Sequence, residues 1–235
     1  MIRGLLYTVG RVLIALYARL FLELDILWQA PLPPGPKLIV ANHPSFTDPF
    51  TISLLSSHPM AILITSVAFL VPIFGYVLKR MRHIPVVEGE GRPAFDEALQ
   101  RLKSGDTVAL FIEGKISPSD GFCPPRTGAV RLALSAGVPI IPVGIQIVQE
   151  RLHVMEAKIK GEKYTEQWYL RGPLRMIVGE PIHLEGDVED HPHVKAESHR
   201  VMQHIIDLVR EGEQQLQESA LRRKERRQRA AAATS

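Results

Sequence analysis

Lys37-Leu38-Ile39-Val40-Ala41-Asn42-His43-Pro44-Ser45-Phe46-Thr47-Asp48 is the stretch from which the architecture unfolds. An apolar run carries a histidine to the end of a strand, and an aspartate follows five positions later, where a helix begins at Thr47 or Asp48. Histidine is the side chain whose ordinary pKa lies nearest neutrality, so it is the default general base. A base needs a partner that fixes its tautomer and stabilises the imidazolium it becomes. A strand-end His with an Asp in the first turn of the next helix supplies both. No nucleophile is built in, so His43 reads as a base for a hydroxyl on the substrate. The plainer alternative is a turn histidine beside a helix N-terminal acid that the helix dipole favours. The motif by itself does not choose between them.

Outward from it, apolar runs and helical spacing alternate. Strands are expected over 37–41, 61–65, 83–87, 107–112, 138–145 and 174–179, and helices over 48–57, 67–81, 93–104 and 127–136. Gly105 and Gly137 stand where helices end in a left-handed residue. A last helix is expected over 194–219, with Met202, Ile205, Ile206 and Val209 facing inward. Such alternation predicts an α/β fold: a single domain, residues 37–219, with a mostly parallel central sheet flanked by helices. With 235 residues there is enough chain for that core and terminal appendages.

The two ends have their own character. Ile2, Leu5, Leu6, Val9, Val12, Leu13, Leu16, Tyr17 and Leu20 form one helical stripe, and Arg3, Arg11 and Arg19 fall outside it. Three arginines argue against a membrane-spanning helix. A broad apolar stripe, widened by Ile14, Phe21 and Leu22, instead predicts that residues 1–30 form an amphipathic helix lying in a membrane interface, the plainer alternative being an amphipathic helix packed on the core. A proline-rich linker, 31–36, follows. At the other end, 222–229 carries six bases and one acid, a local +5 against +3 for the whole chain, so the remainder is slightly acidic. Residues 220–235 are expected to be a disordered basic tail drawn to an anionic membrane surface; with no interleaved aromatics it predicts no nucleic-acid partner. A single cysteine, Cys123, excludes an intrachain disulfide and suits a reducing compartment. It reads as a passive loop thiol. The apolar start has no small-residue cleavage site, so no signal peptide is expected. His191 and His193 flank a proline, and His199 and His204 are five apart and share no helix face, so no metal is expected.

Further along, Phe111-Ile112-Glu113-Gly114 ends another apolar strand, where α/β sites gather. Val138 to Val143 is a buried strand with prolines near its ends. Taken together, these stretches resemble the glycerolipid acyltransferase family typified by 1-acylglycerol-3-phosphate acyltransferase, over residues 37 to 182. His43 and Asp48 match its His-x4-Asp block, Pro72-Ile73-Phe74-Gly75 its Pro-x-x-Gly, and Phe111–Gly114 its Phe-Pro-Glu-Gly. Arg126-Thr127-Gly128 resembles its basic-Thr-Gly turn, Val138–Val143 its fourth block, and Val178–Ile182 its closing strand.

The resemblance implies an O-acyltransferase acting at the cytoplasmic face of the membrane. His43 would be the base and Asp48 its orienting partner, with acyl-CoA or acyl-carrier protein as co-substrate, no other cofactor, and a membrane lipid as acceptor. Glu113 would hydrogen-bond a substrate hydroxyl beside Gly114, and backbone N–H groups at the start of the 127–136 helix are candidate oxyanion donors. The chain departs from the family at basic positions. A usual Lys is here Ser66, a usual Arg falls on Glu88, and a usual Thr-Arg is Lys115-Ile116. Lys115, Arg126, Arg131 and Arg92 remain as bases. Either Lys115 and Arg126 hold the phosphate of 1-acylglycerol-3-phosphate, or the acceptor is a lipid or polyol without that dianion. Two other classes remain open: a catalytically silent lipid- or acyl-CoA-binding module, and a hydrolase using Ser45, which lacks a Gly-x-Ser-x-Gly setting.

Overall fold

The computed structural model describes residues 2–118, 120–159 and 161–232. At its centre is β2 (Leu38–Ala41), buried along its whole length. Alternate residues of a strand point to opposite faces. Leu38 and Val40 therefore enter one core, and Ile39 and Ala41 the other. Both faces being apolar, the strand has to sit inside a doubly covered sheet.

β5 (Thr107–Phe111) and β6 (Ile140–Ile147) flank β2 in parallel, with Ala41 opposite Phe111 on one side and Val143 on the other. β3 (Met60–Thr65) and β4 (Ile84–Val86) continue the parallel set beyond β5. Beyond β6 lies β9 (Leu174–Val178), antiparallel to it, and then β1 (Asp25–Trp28), parallel to β9. The order is β1-β9-β6-β2-β5-β3-β4. Helices α4 (Gly91–Lys103), α5 (Gly128–Ala136) and α6 (His191–Ala232) cover the Leu38 face. The opposite face is covered by α1 (Ile2–Phe21) and α2 (Asp48–Ile52). The expected α/β architecture is the one observed.

Four boundaries are corrected. Residues 25–28 are not part of the first helix; they form β1, so the sheet recruits chain from ahead of the proline-rich segment. The expected 67–81 helix is a 3-10 segment, Ser66–Leu70, followed by α3 (Phe74–Met81). Where the two meet, Gly75 of α3 packs so closely on Phe69 that a Cβ there would lie 2.2 Å from the Phe69 carbonyl oxygen, which accounts for the glycine of Pro72-x-x-Gly75. The basic tail is not disordered through 220–232: the backbone of α6 remains helical to Ala232. Residues 233–235 of that expectation lie outside the described residues. Lastly, a stretch assigned no structure forms an antiparallel hairpin, β7 (Leu152–Ile159) and β8 (Glu162–Tyr169).

Helix α1 has two apolar sides. Tyr7, Ala18 and, just past its end, Leu22 are buried. The Tyr7 hydroxyl donates to the Ser56 carbonyl at 2.9 Å, and Arg11 to that of Leu54 at 3.3 Å. The opposite side carries Val9, Val12, Leu13, Leu16 and Leu20, each between 48% and 63% exposed. Of the stripe read from the sequence, Val9, Val12, Leu13, Leu16 and Leu20 thus form the free side, Tyr17 donates its hydroxyl to the Leu170 carbonyl, and the side chains of Ile2, Leu5 and Leu6 lie outside the described residues; Arg11 belongs to the packed side.

Candidate active site

Beyond Ala41 the chain leaves the sheet, and Asn42 makes that exit rigid. Its side-chain amide donates to the Ile145 carbonyl at 2.9 Å and accepts the Ile145 N–H at 2.7 Å. One side chain thus continues the β2–β6 pairing for a further rung. The next residue is His43.

The peptide group of His43 is held at both ends. Its N–H donates to Glu113 Oε1 at 3.1 Å, and its carbonyl accepts the Ser117 N–H at 2.7 Å. The imidazole lies flat on the Phe111 ring, with centroids 3.9 Å apart and planes 10° apart. Its Nδ1 faces Asp48 Oδ2 at 2.9 Å. Asp48 is fully buried and meets two more donors, the Ser45 N–H at 2.8 Å on Oδ2 and the Ser45 hydroxyl at 2.9 Å on Oδ1. Three donors around one carboxyl match an acceptor-only carboxylate, and in a neutral imidazole this arrangement puts the proton on Nδ1 and the lone pair on Nε2. The Ser45 hydroxyl is turned to Asp48 and is buried, so it is not poised as a nucleophile for His43.

Glu113 is 1% exposed, and protein donors occupy both oxygens: the His43 N–H and the Ser117 hydroxyl (2.6 Å) on Oε1, the Cys123 N–H (2.6 Å) on Oε2. A carboxylate so enclosed ties three segments together. Its donors come from the fold, as burying a charge demands.

The expected cations are reached through the same turn. Gly114 has φ +67, and a Cβ on it would lie 2.6 Å from Cδ and Nε of Arg126, whose side chain runs across it. Lys115 and Arg126 are both exposed beside the mouth of the site. Arg126 also anchors the approach to α5, its N–H donating to the Ile112 carbonyl at 2.9 Å. The helix N-terminus therefore lies next to the Glu113 turn. Arg92 and Arg131 are grouped elsewhere, both over the Phe95 ring, with Arg92 paired to Asp96.

The sequence reading missed the hairpin, whose base closes over the motif. The Phe46 N–H donates to the Gln167 carbonyl at 2.7 Å, and the Phe46 and Trp168 rings meet with centroids 4.8 Å apart. The Thr47 hydroxyl donates to the Tyr169 carbonyl at 3.0 Å and accepts the Tyr169 N–H at 3.2 Å. The strand-favouring residues Tyr164, Thr165, Trp168 and Tyr169 after Gly161 were the available signal.

A family described as Acyltransferase matches residues 28–146, which include the whole His43–Asp48–Glu113 assembly. The chain belongs to the acyltransferase family. Its relatives include a chloroplastic 1-acyl-sn-glycerol-3-phosphate acyltransferase of Brassica napus, 30% identical over 52% of this chain and 37% of that protein. An N-acylphosphatidylethanolamine synthase of Arabidopsis thaliana is 31% identical over 65% of this chain and 58% of its own length. A 1-acyl-sn-glycerol-3-phosphate acyltransferase of Pseudomonas aeruginosa is 24% identical over 66% and 58%. The chain thus spans about half the length of the curated relatives it matches. The crystal structure of a 1-acyl-sn-glycerophosphate acyltransferase from Thermotoga maritima shares the fold, with a TM-score of 0.62, 19% identity, and coverage of 92% of this chain and 79% of that one.

Proposed function

We propose that this acyltransferase-family chain moves a fatty acyl group from acyl-CoA or acyl-carrier protein to a hydroxyl of a glycerolipid, with 1-acylglycerol-3-phosphate as the first acceptor to test. The observation that carries this reading is the His43–Asp48 pair, with Nδ1 engaged at 2.9 Å and Nε2 left for the substrate. Nε2 takes the proton of the acceptor hydroxyl as its oxygen bonds to the thioester carbonyl carbon. The carbon–sulfur bond then breaks, and the proton passes from the imidazolium to the departing thiolate. Asp48 holds the imidazole in the required tautomer and offsets its transient charge. The thioester is already activated, so positioning and oxyanion stabilisation supply much of the remaining acceleration; N–H groups at the start of α5 fit the second task. Lys115 and Arg126 are the cations available to an acceptor phosphate.

We further propose that the reaction takes place at the cytoplasmic membrane surface. Among the described residues no helix is long and apolar enough to cross a bilayer. The free side of α1 supports interfacial binding, and the neighbouring Leu70, Ile73 and Tyr76 add to it. Ile73 is 83% exposed and has φ +63, a strained setting for a branched apolar residue. The basic run at 222–229 adds attraction to anionic lipid.

The test is thiol release from acyl-CoA by the purified protein, with and without 1-acylglycerol-3-phosphate or an uncharged monoacylglycerol. Acceptor-dependent release that disappears in His43→Ala is expected. Release that survives in that variant overturns the base assignment.

A further inference from the structure

The docked hairpin brings a carboxyl to the site that none of the motifs contains. Phe46 bonds the backbone of Gln167, and Trp168 lies on the Phe46 ring. Residues two apart on a strand share a face. Glu166 therefore lies on the Trp168 face of the hairpin, beside the loop that bears His43. It is half-buried, and among the described residues no side chain or backbone donor bonds to its carboxyl. Asp48 and Glu113 have all their oxygens engaged within the fold; the Glu166 oxygens do not.

We propose that Glu166 is a specificity-determining residue of the acceptor site, whose carboxylate favours a lysophospholipid bearing an ammonium head group over one ending in a bare phosphate. This inference rests on the acyl-transfer reading above and deepens it. A carboxylate beside the base repels a phosphate dianion and pairs with an ammonium. Burial pushes the Glu166 carboxyl above the usual range, while the positive charge of His43, when its ring is protonated, draws it down. A cation supplied by the acceptor acts in the same direction as His43, so ammonium binding and ionisation of Glu166 reinforce one another. Lys115 and Arg126 lie at the Gly114 turn and not on the hairpin, so the phosphodiester and ammonium of one head group can meet opposite charges at two places.

The test compares acyl transfer from acyl-CoA to 1-acylglycerophosphoethanolamine and to 1-acylglycerol-3-phosphate, in wild type, Glu166→Gln and Glu166→Lys, with unfolding curves for each. The expected result is a fall of about tenfold in the ethanolamine-to-phosphate ratio of kcat/KM for Glu166→Gln, about 1.4 kcal/mol in selectivity. Glu166→Lys should move the ratio further the same way. The change should appear in acceptor KM, with acyl-CoA KM constant. A ratio unmoved within twofold in both variants, with wild-type transfer intact, overturns the Glu166 assignment alone. Wild-type protein that transfers to neither these acceptors nor monoacylglycerol overturns the acyl-transfer reading, and this inference with it.

Discussion

Glu113 Oε1 accepts the backbone N–H of His43 at 3.1 Å, across 70 positions of sequence. A strand-end acid thus fixes the main chain of His43, while Asp48 fixes its ring. Glu113→Ala should leave the His43 and Cys123 N–H groups without their partner, each costing about 1–3 kcal/mol if it remains buried. Denaturant unfolding should show that loss together with a fall in kcat. Unchanged stability with a raised acceptor KM alone would return Glu113 to direct substrate contact.

Asp48→Asn keeps the shape but gives only one acceptor oxygen to a site with three donors. The imidazole loses its fixed tautomer, and kcat should drop about 10²- to 10⁴-fold. Steady-state rates at saturating substrates check this. A drop below fivefold would mean the carboxylate is not needed to orient His43.

Gly114→Ala forces a left-handed residue to carry a Cβ 2.6 Å from the Arg126 side chain. Backbone strain of about 1–2 kcal/mol should appear in unfolding. The displaced Arg126 should raise the KM for 1-acylglycerol-3-phosphate, and Arg126→Ala should do so by about ten- to a hundredfold, the worth of one charge-assisted bond to phosphate. An acceptor KM unchanged from wild type in Arg126→Ala would show that Arg126 does not meet the phosphate.

Leu13 and Leu16 lie on the free side of α1. Changing both to Glu should leave stability within about 0.5 kcal/mol, because neither packs on the domain. Sedimentation with anionic vesicles should fall at least tenfold, since burying one such side chain contributes about 1.5–3 kcal/mol. Deleting residues 1–30 would be a poorer test, as it also removes β1. Full vesicle binding by the double variant would rule out the α1 stripe as the anchor.

Tyr169 is fully buried, with its hydroxyl donating to the Pro173 carbonyl at 2.9 Å, and burial raises its pKa above the usual 10.0. In the unfolded chain the phenol ionises near the ordinary value, while in the native state it remains neutral to higher pH. Stability from this group is therefore full below pH about 10 and declines as pH rises towards the folded pKa. Unfolding curves at pH 9 and above should show the decline, and Tyr169→Phe should reduce it. An identical alkaline slope in that variant would assign the loss to other groups.

The central strands were legible because burial on both faces leaves no polar alternation: Leu38 to Ala41 reads as one apolar run and is buried throughout. The hairpin was not, because its strands are largely exposed and carry few apolar residues. The free stripe of α1 was visible in its spacing; that Tyr7 and Arg11 face the domain follows from carbonyls at Ser56 and Leu54 that no local pattern announces.

The sequence by itself determined the sheet, the place of His43 at a strand end and its pairing with Asp48, since all depend on short-range periodicity and a five-residue spacing. Only the tertiary structure decided that Glu113 faces inward, that Arg126 crosses Gly114, and that the strand bearing Glu166 docks on the His43 loop. Each depends on which distant segment comes to rest beside it: parallel pairing of β2 with β5 for Glu113, and docking of the hairpin on Phe46 and Thr47 for Glu166. A carboxyl's role follows from the donors that surround it, and those donors are brought together by the fold.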